Sequence, residues 1–311
     1  MRNKLSIALV VLVMVGCGNA TVQPPLDTES EGTINVAVDE SFKPLLDAEF
    51  ETFAMLYPNA HINVKYVNEN EAYKLLSLDS VRLAIGTREL TPAELAPLAK
   101  RNITANKIKI ASDAIAFICN KNNKDTTLST KQLEQLITGK ATKWNNLNST
   151  TNTNDVVVVF DNAQSSTASY LKKRFLPNAT FPKNSYALKN NLEVIAYVRE
   201  HPNSIGVIST SWISDGDDPT ADSLRKSITV MALQSKDVKE PKAYYQPYQA
   251  YLSMDKYLLT RPLYIISRES RHGLGTGFVT FVVGEKGQRI ILKSGLLPTK
   301  VPERIVGFST E

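Results

Sequence analysis

From residue 33 onward, short apolar runs alternate with longer stretches in which apolar residues recur every three or four positions. Residues 33–38 predict a strand. Residues 41–57 predict a helix with Leu45, Leu46, Phe50, Phe53 and Ala54 on one face and Pro58 just past its end. Residues 62–67 predict the next strand, 69–78 a short helix and 83–85 a short buried strand. Thr91, Pro92 and Glu94 open a further helix with a hydroxyl cap, a proline in the first turn and an acid three residues on. A second series follows: strands at 108–110 and 114–119, a capped helix at 129–138 closed by Gly139, and Trp144 in a polar turn. Residues 156–160, apolar throughout, predict a central parallel strand, followed by a helix at 165–175. A helix at 192–200, strands at 205–208 and 263–266, and a last helix at 278–293 complete the pattern. Strands alternating with helices give an α/β fold with largely parallel pairing.

The first residues follow a different rule. Arg2 and Lys4 precede an apolar run at 5–15, too short to span a bilayer and flanked as a secretory signal is. The run ends in Met14-Val15-Gly16-Cys17, which resembles a bacterial lipobox, with cleavage before Cys17 and lipid on its thiol. An ordinary signal peptide with a chance cysteine is the plainer alternative. Residues 1–16 are thus expected to be a signal peptide, and 17–32 a flexible tether to a folded domain in the bacterial cell envelope, outside the cytoplasm. Cys119, inside an apolar run and without a partner once Cys17 carries lipid, reads as a buried small hydrophobe. The formal charge of +5 includes Arg2 and Lys4, so the mature chain stands near 5 − 2 = +3. That spread-out excess gives no nucleic-acid stripe, and is compatible with an anionic ligand.

Three places join a strand end, a hydroxyl and a helix start: Asp39-Glu40-Ser41-Phe42, Gly86-Thr87-Arg88 and Gln164-Ser165-Ser166-Thr167. A helix N-terminus offers unpaired N–H groups that hold an oxyanion, although capping alone explains a serine or threonine there. Ser165, Ser166 and Thr167 exceed what a cap needs. His61, His201 and His272 show no metal-ligand spacing, and no nucleophile elbow is present, so neither an enzyme nor a metal or cofactor site is expected. The glycine run 273–277 lacks the spacing of a nucleotide loop and reads as a turn into the last helix. Tyr244, Tyr245, Tyr248 and Tyr251 suit a partner surface, a sugar platform or packing between lobes.

Across residues 33–300 the order of segments resembles the phosphate-binding protein of the phosphate-specific ABC transporter. The residues carrying the likeness are Ala116-Phe117-Ile118-Cys119-Asn120-Lys121-Asn122, the segment from Leu128 to Trp144, and Gly287-Gln288-Arg289 through Pro298. The resemblance implies a type II periplasmic-binding-protein fold: two α/β lobes joined by a two-strand hinge around a central cleft. Lobe 1 would comprise 33–113 and 260–311 and lobe 2 114–259, with crossings near Ser112 to Ala116 and Leu259 to Arg261. It also implies inorganic phosphate or a related small oxyanion as ligand, and an ABC permease or other envelope protein as partner. Ser41 and Phe42 match one family helix start, Ser165, Ser166 and Thr167 a second, and Thr87 and Arg88 a further element.

Three positions depart from the family pattern. Asp161 stands where an arginine is common, Ala163 where an aspartate accepts the proton of phosphate, and Asn68-Glu69-Asn70-Glu71 replaces a Gly/Ser-rich loop. Arg88 is the expected substitute for the missing charge, because a guanidinium matches phosphate geometry. The acidic changes leave open a second reading, an envelope scaffold or adaptor that kept the fold and lost or changed its ligand.

Overall fold

The computed structural model describes residues 26–147 and 152–300. Cys17 and the signal segment lie outside the described residues. Lobe 1 begins with β1 (Gly32–Asp39), a single 3-10 turn (Glu40–Phe42), α1 (Lys43–Leu56), β2 (Ala60–Val67), α2 (Glu69–Ser77), β3 (Leu83–Gly86) and α3 (Pro92–Ala99). β4 (Asn106–Cys119) carries the chain into lobe 2. There follow β5 (Thr127–Leu128), α4 (Thr130–Ile137), α5 (Trp144–Leu147), β6 (Val157–Phe160), α6 (Ser166–Phe175), β7 (Ser185–Ala187), α7 (Asn191–Glu200) and β8 (Ser204–Ser209). Then come α8 (Pro219–Ser227), β9 (Thr229–Val230), β10 (Ala232–Gln234), β11 (Tyr244–Tyr245) and α9 (Gln249–Ser253). β12 (Thr260–Ser267) returns to lobe 1, which closes with α10 (Leu274–Val283), α11 (Glu285–Lys293) and β13 (Leu297–Pro298).

One curled sheet runs through both lobes in the order β2-β1-β3-β12-β4-β8-β6-β7. β4 makes this possible. Its first half pairs antiparallel with β12 up to Ala114, and its second half pairs with β8 from Ile115 onward. The expected strands at 108–110 and 114–119 are therefore one strand, whose ladder partner changes where the lobes meet. β6 is parallel to both β7 and β8, as its apolar run predicts, but it stands next to the edge strand β7 rather than at the centre of the sheet.

Alternation along the strands divides the core by face. On β1, Ile34, Val36 and Val38 pack under α1 and α10 with Phe50, Phe53 and Phe278, while Ala37 faces Tyr73 and Leu76 of α2. On β8, Ile205 and Val207 join Leu133, Trp144 and Leu171, while Ile208 faces Val194 and Val198 of α7. Gly206 sits where a Cβ would come within 2.7 Å of Val194 and 2.8 Å of Ile118, so α7 packs directly on the strand. Cys119 is buried and free, with its thiol pushed up to about 12 by burial.

Several expectations change in detail. Trp144 is no turn residue; it is buried at the start of α5, and its indole N–H donates to the Asn203 carbonyl at 3.2 Å. The single helix expected at 278–293 is broken at Gly284 into α10 and α11. At Gly287 a Cβ would lie 2.5 Å from Val282 Cα, so the two helices meet too closely for any side chain. Beside it, the buried Gln288 amide donates to the carbonyls of Ile110 (3.1 Å) and Val282 (2.9 Å) and accepts from Thr299 N–H (2.7 Å). The glycine–glutamine pair of the closing motif is thus a packing device. The tether expected to reach residue 32 is already docked at Asp27, which accepts from Leu274 N–H at 2.8 Å and pairs with Arg82 and Arg271. Among the described residues, no helix is long and apolar enough to cross a membrane.

Candidate functional site

Two strand ends and two helix starts face one another where the lobes meet. β1 ends in Asp39, whose carboxylate accepts from Ser41 N–H at 3.3 Å and starts the 3-10 turn. That turn buries Ser41 and Phe42 before Pro44 admits α1. Opposite, Asp161 follows the last residue of β6 and the chain enters α6 through Ser165, whose hydroxyl accepts from Ala168 N–H at 3.1 Å as a helix cap. Ser165, Ser166 and Thr167 are all buried.

The hydroxyls of these helix starts are held by a carboxylate of the protein itself. Ser165 Oγ donates to Asp161 Oδ1 at 2.6 Å, and Ser41 Oγ, from the other lobe, donates to Asp161 Oδ2 at 3.2 Å. Asn191 Nδ2 reaches Asp161 Oδ2 at 3.3 Å and Glu40 Oε2 at 2.7 Å. Ser211 Oγ donates to the Ser41 carbonyl at 2.7 Å. Together these bonds join the lobes across the cleft.

The positive charge comes from a residue that pattern reading had placed only in the hinge. Arg261, on β12, is 2% exposed. Its Nε donates to Asp113 Oδ2 at 2.9 Å, its Nη1 donates to Ser166 Oγ at 2.8 Å, and its guanidinium lies 5.1 Å from the Phe42 ring centre. Asp113 also accepts from Ser209 Oγ (3.0 Å) and Thr210 Oγ1 (2.8 Å). Arg261 and Asp113 are ladder partners on β12 and β4, the two strands that cross between the lobes.

Thr87 and Arg88 are engaged elsewhere. Thr87 Oγ1 donates to buried Glu69 at 2.8 Å. Arg88 forms a two-pronged pair with Glu94, both bonds 2.8 Å, and its Nε lies 3.4 Å from Glu69 Oε2. Its guanidinium is stacked over Tyr73 at 4.5 Å, and Glu94 closes the capping box of α3 with Thr91. Arg88 is therefore tied into the α2–α3 packing, and Arg261 is the guanidinium that faces Ser166. A signal for both was present in the sequence: Arg261 is the single charge of β12, and Asp113 is the single acid of β4, set against the apolar run 114–119.

Four buried polar atoms at this junction have no hydrogen-bond partner: Arg261 Nη2, Thr167 Oγ1, Asp39 Oδ2 and Asn191 Oδ1. Leaving such groups unpaired is costly, and all four belong to residues of this one junction. The acids here hold their protons strongly. Burial first, then repulsion from Glu69, pushes Asp39 up to about 8 against the pull of Arg261. Burial likewise moves Glu40 to about 7 and raises Asp161. The α10 N-terminus offers no comparable opening, since Asp27 and Glu269 already accept its N–H groups. The tyrosine cluster belongs to another seam: Gln249, beside Tyr248, donates to the carbonyls of Leu292 and Leu296 and so packs lobe 2 against α11.

Comparison with known proteins bears on the family and the fold. Residues 23–286 match the family described as the PBP superfamily domain. The phosphate-binding protein PstS of Borreliella burgdorferi is 23% identical over 282 residues, covering 88% of this chain and 92% of that protein. PstS of Pseudomonas aeruginosa is 22% identical, covering 98% of both chains. Among solved structures, a putative phosphate ABC transporter substrate-binding protein with bound phosphate from Clostridium perfringens superposes with a TM-score of 0.72. It shares 21% identity, and the match covers 86% of this chain and all of that one. A sheet carried through two lobes by β4 and β12, a cleft at their junction and a family match over most of its length show that the chain belongs to the PBP superfamily, with a periplasmic-binding-protein fold.

Proposed function

We propose that this chain is the solute-binding component of an ABC transporter, capturing phosphate or a small phosphate-like oxyanion between its lobes. The observation carrying this reading is the pair of buried, unpartnered donors, Arg261 Nη2 and Thr167 Oγ1, beside Ser166 at the start of α6. A guanidinium, a hydroxyl and a helix N-terminus converging in a site shielded from water suit a tetrahedral oxyanion. Ser41 and Ser165 would join the ligand if its arrival displaced Asp161 from their hydroxyls. Phe42 closes the apolar side against Arg261. Thr87 and Arg88, assigned as ligands by resemblance, act in this reading through Glu69 and Glu94, shaping the wall behind the cleft. The names of the relatives support the same function, and lipid on Cys17 would hold the domain at the envelope within reach of a permease.

A second reading, an envelope adaptor without a small ligand, is favoured by Asp161, which already occupies hydroxyls on both sides of the cleft. Titration calorimetry of the purified chain with inorganic phosphate and with sulfate separates the two. Saturable phosphate binding that falls at least about tenfold in Arg261→Gln supports capture. Absence of heat with either anion, together with a stable protein complex recovered from envelopes, supports the adaptor.

A further inference from the structure

Beside the oxyanion end, sharing the Asp161 and Ser165 segment with it, lies a pocket of opposite character. A 270 Å³ cavity lies against Asp39, Glu40, Glu71 and Asp161, with Lys189 the one basic side chain of its described lining. That volume is at the small end of ligand pockets, which run roughly 300–1,000 Å³. Asp39 is the pivot between the two ends. It is 1% exposed, its Oδ1 accepts from Ser41 N–H, and its Oδ2, although buried, accepts from nothing. The nearby guanidinium of Arg261 is already paired with Asp113 at 2.9 Å. Asp39 in its protonated form would donate that hydrogen to a plain oxyanion, whereas a ligand bringing its own positive charge would draw the proton off and pair with the carboxylate, in a cavity where acids outnumber bases. A metal ion is not the fitting cation, because no three ligating side chains converge on one point among the described residues.

Resting on the reading of the oxyanion end given above, we infer that the ligand is a small phosphate monoester or phosphonate carrying a primary amine. Its phosphoryl oxygens lie on Arg261, Ser166 and Thr167, and its ammonium lies on Asp39 at the inner end of the acidic cavity. A charge-assisted hydrogen bond from a primary ammonium suits the single free oxygen of Asp39. The carbon chain between the two groups needs to be only a few atoms long, as both ends share Ser166 and Ser41 as neighbours.

The test is calorimetry of the purified chain with phosphoethanolamine, with ethyl phosphate, which has nearly the same shape without the ammonium, and with inorganic phosphate. Phosphoethanolamine is expected to bind at least about tenfold more tightly than ethyl phosphate, and Asp39→Asn is expected to erase that difference. Equal affinities of the two esters in the parent chain overturn the amine site while leaving the oxyanion end standing. A preference that survives Asp39→Asn overturns the place given to the ammonium. Failure of all three ligands to bind overturns both the amine site and the oxyanion reading beneath it.

Discussion

Replacing Arg261 by methionine removes a guanidinium but keeps an unbranched side chain of similar reach, and its consequences follow from the pairing at the hinge. Both members of the Arg261–Asp113 pair are essentially unexposed, at 1% and 0% of the side chain. Breaking such a pair from one side costs about 3–5 kcal/mol, because the remaining charge stays buried without its partner. Asp113 keeps hydroxyl donors from Ser209 and Thr210, which places this loss near about 3 kcal/mol. For a chain of this size the corresponding drop in Tm is roughly 6–12 °C. Substituting Asp113 by asparagine in the same protein removes the orphaned charge, so the double variant is expected to regain a substantial part of that loss. Thermal melts and urea titrations of the parent, the single and the double variants measure both effects. Phosphate affinity, read by calorimetry, is expected to fall in the single and to stay low in the double, since stability returns without the guanidinium. A single variant melting within about 1 °C of the parent would refute the buried pair. Recovery of phosphate binding in the double variant would refute the role of Arg261 at the ligand.

Asp161→Asn removes a carboxylate from the cleft while leaving an amide of the same shape, and is expected to tighten phosphate binding about tenfold by calorimetry. Unchanged or weaker binding would show that Asp161 does not oppose the anion. Glu49, buried in α1 with both carboxylate oxygens unpartnered, is pushed by burial up to about 9. The folded state therefore keeps this proton where the unfolded chain has lost it, so stability falls as pH rises from the usual carboxylate range near 4.5 to about 9. Glu49→Leu is expected to flatten that decline by about 3 kcal/mol between pH 4.5 and 7, measured as urea midpoints across the range. A slope equal to that of the parent would contradict it. Gly206→Ala places a Cβ within 2.8 Å of Ile118, Val194 and Val198 and is expected to cost about 1–3 kcal/mol in the same assay. A neutral result would mean that α7 can retreat from β8.

Much of the fold could be read from spacing because the lobes are built from repeated local rules. The capping boxes at Thr91 and Ser129 are as local chemistry requires, and β6 is a parallel strand flanked on both sides, as its unbroken apolar run demands. The errors arose where one stretch of chain answers to two neighbours. β4 looked like two strands because Ser112 and Asp113 interrupt its apolar run, yet Asp113 is buried by Arg261 from β12, a partner 148 residues away. The last helix looked continuous because its apolar period passes through Gly284, but the backbone there is extended (φ −74°, ψ 173°), and Gly287 lets α11 fold back closely on Val282. The candidate site shows the same division. Ser41, Ser165, Ser166 and Thr167 were legible because each stands at a helix start. Arg88 was the natural choice for the charge, being adjacent to one of those motifs. Only the tertiary structure shows Glu94 and Glu69 holding it, and Arg261 beside Ser166.

The location of the guanidinium bears on how the cleft would work. The family pattern places its arginine at the end of β6, within lobe 2, where this chain has Asp161. Arg261 instead sits on a strand that crosses between the lobes, locked to Asp113 on the other crossing strand. Residues near a pivot move least when lobes rotate about it. A charge placed there would remain fixed during opening, while Ser41 moves with one lobe and Ser165, Ser166 and Thr167 with the other. Asp161 belongs to lobe 2 and accepts from Ser41 of lobe 1 at 3.2 Å as well as from Ser165, and so satisfies hydroxyls from both sides. In the capture reading, the same carboxyl group would have to yield those hydroxyls to an incoming oxyanion. Affinity would then depend on the difference between two acceptors for one set of donors, an internal one and an external one. A ligand that also brings an ammonium for Asp39 shifts that difference in its own favour, which is why the amine and the displaced role of the arginine belong to a single electrostatic argument.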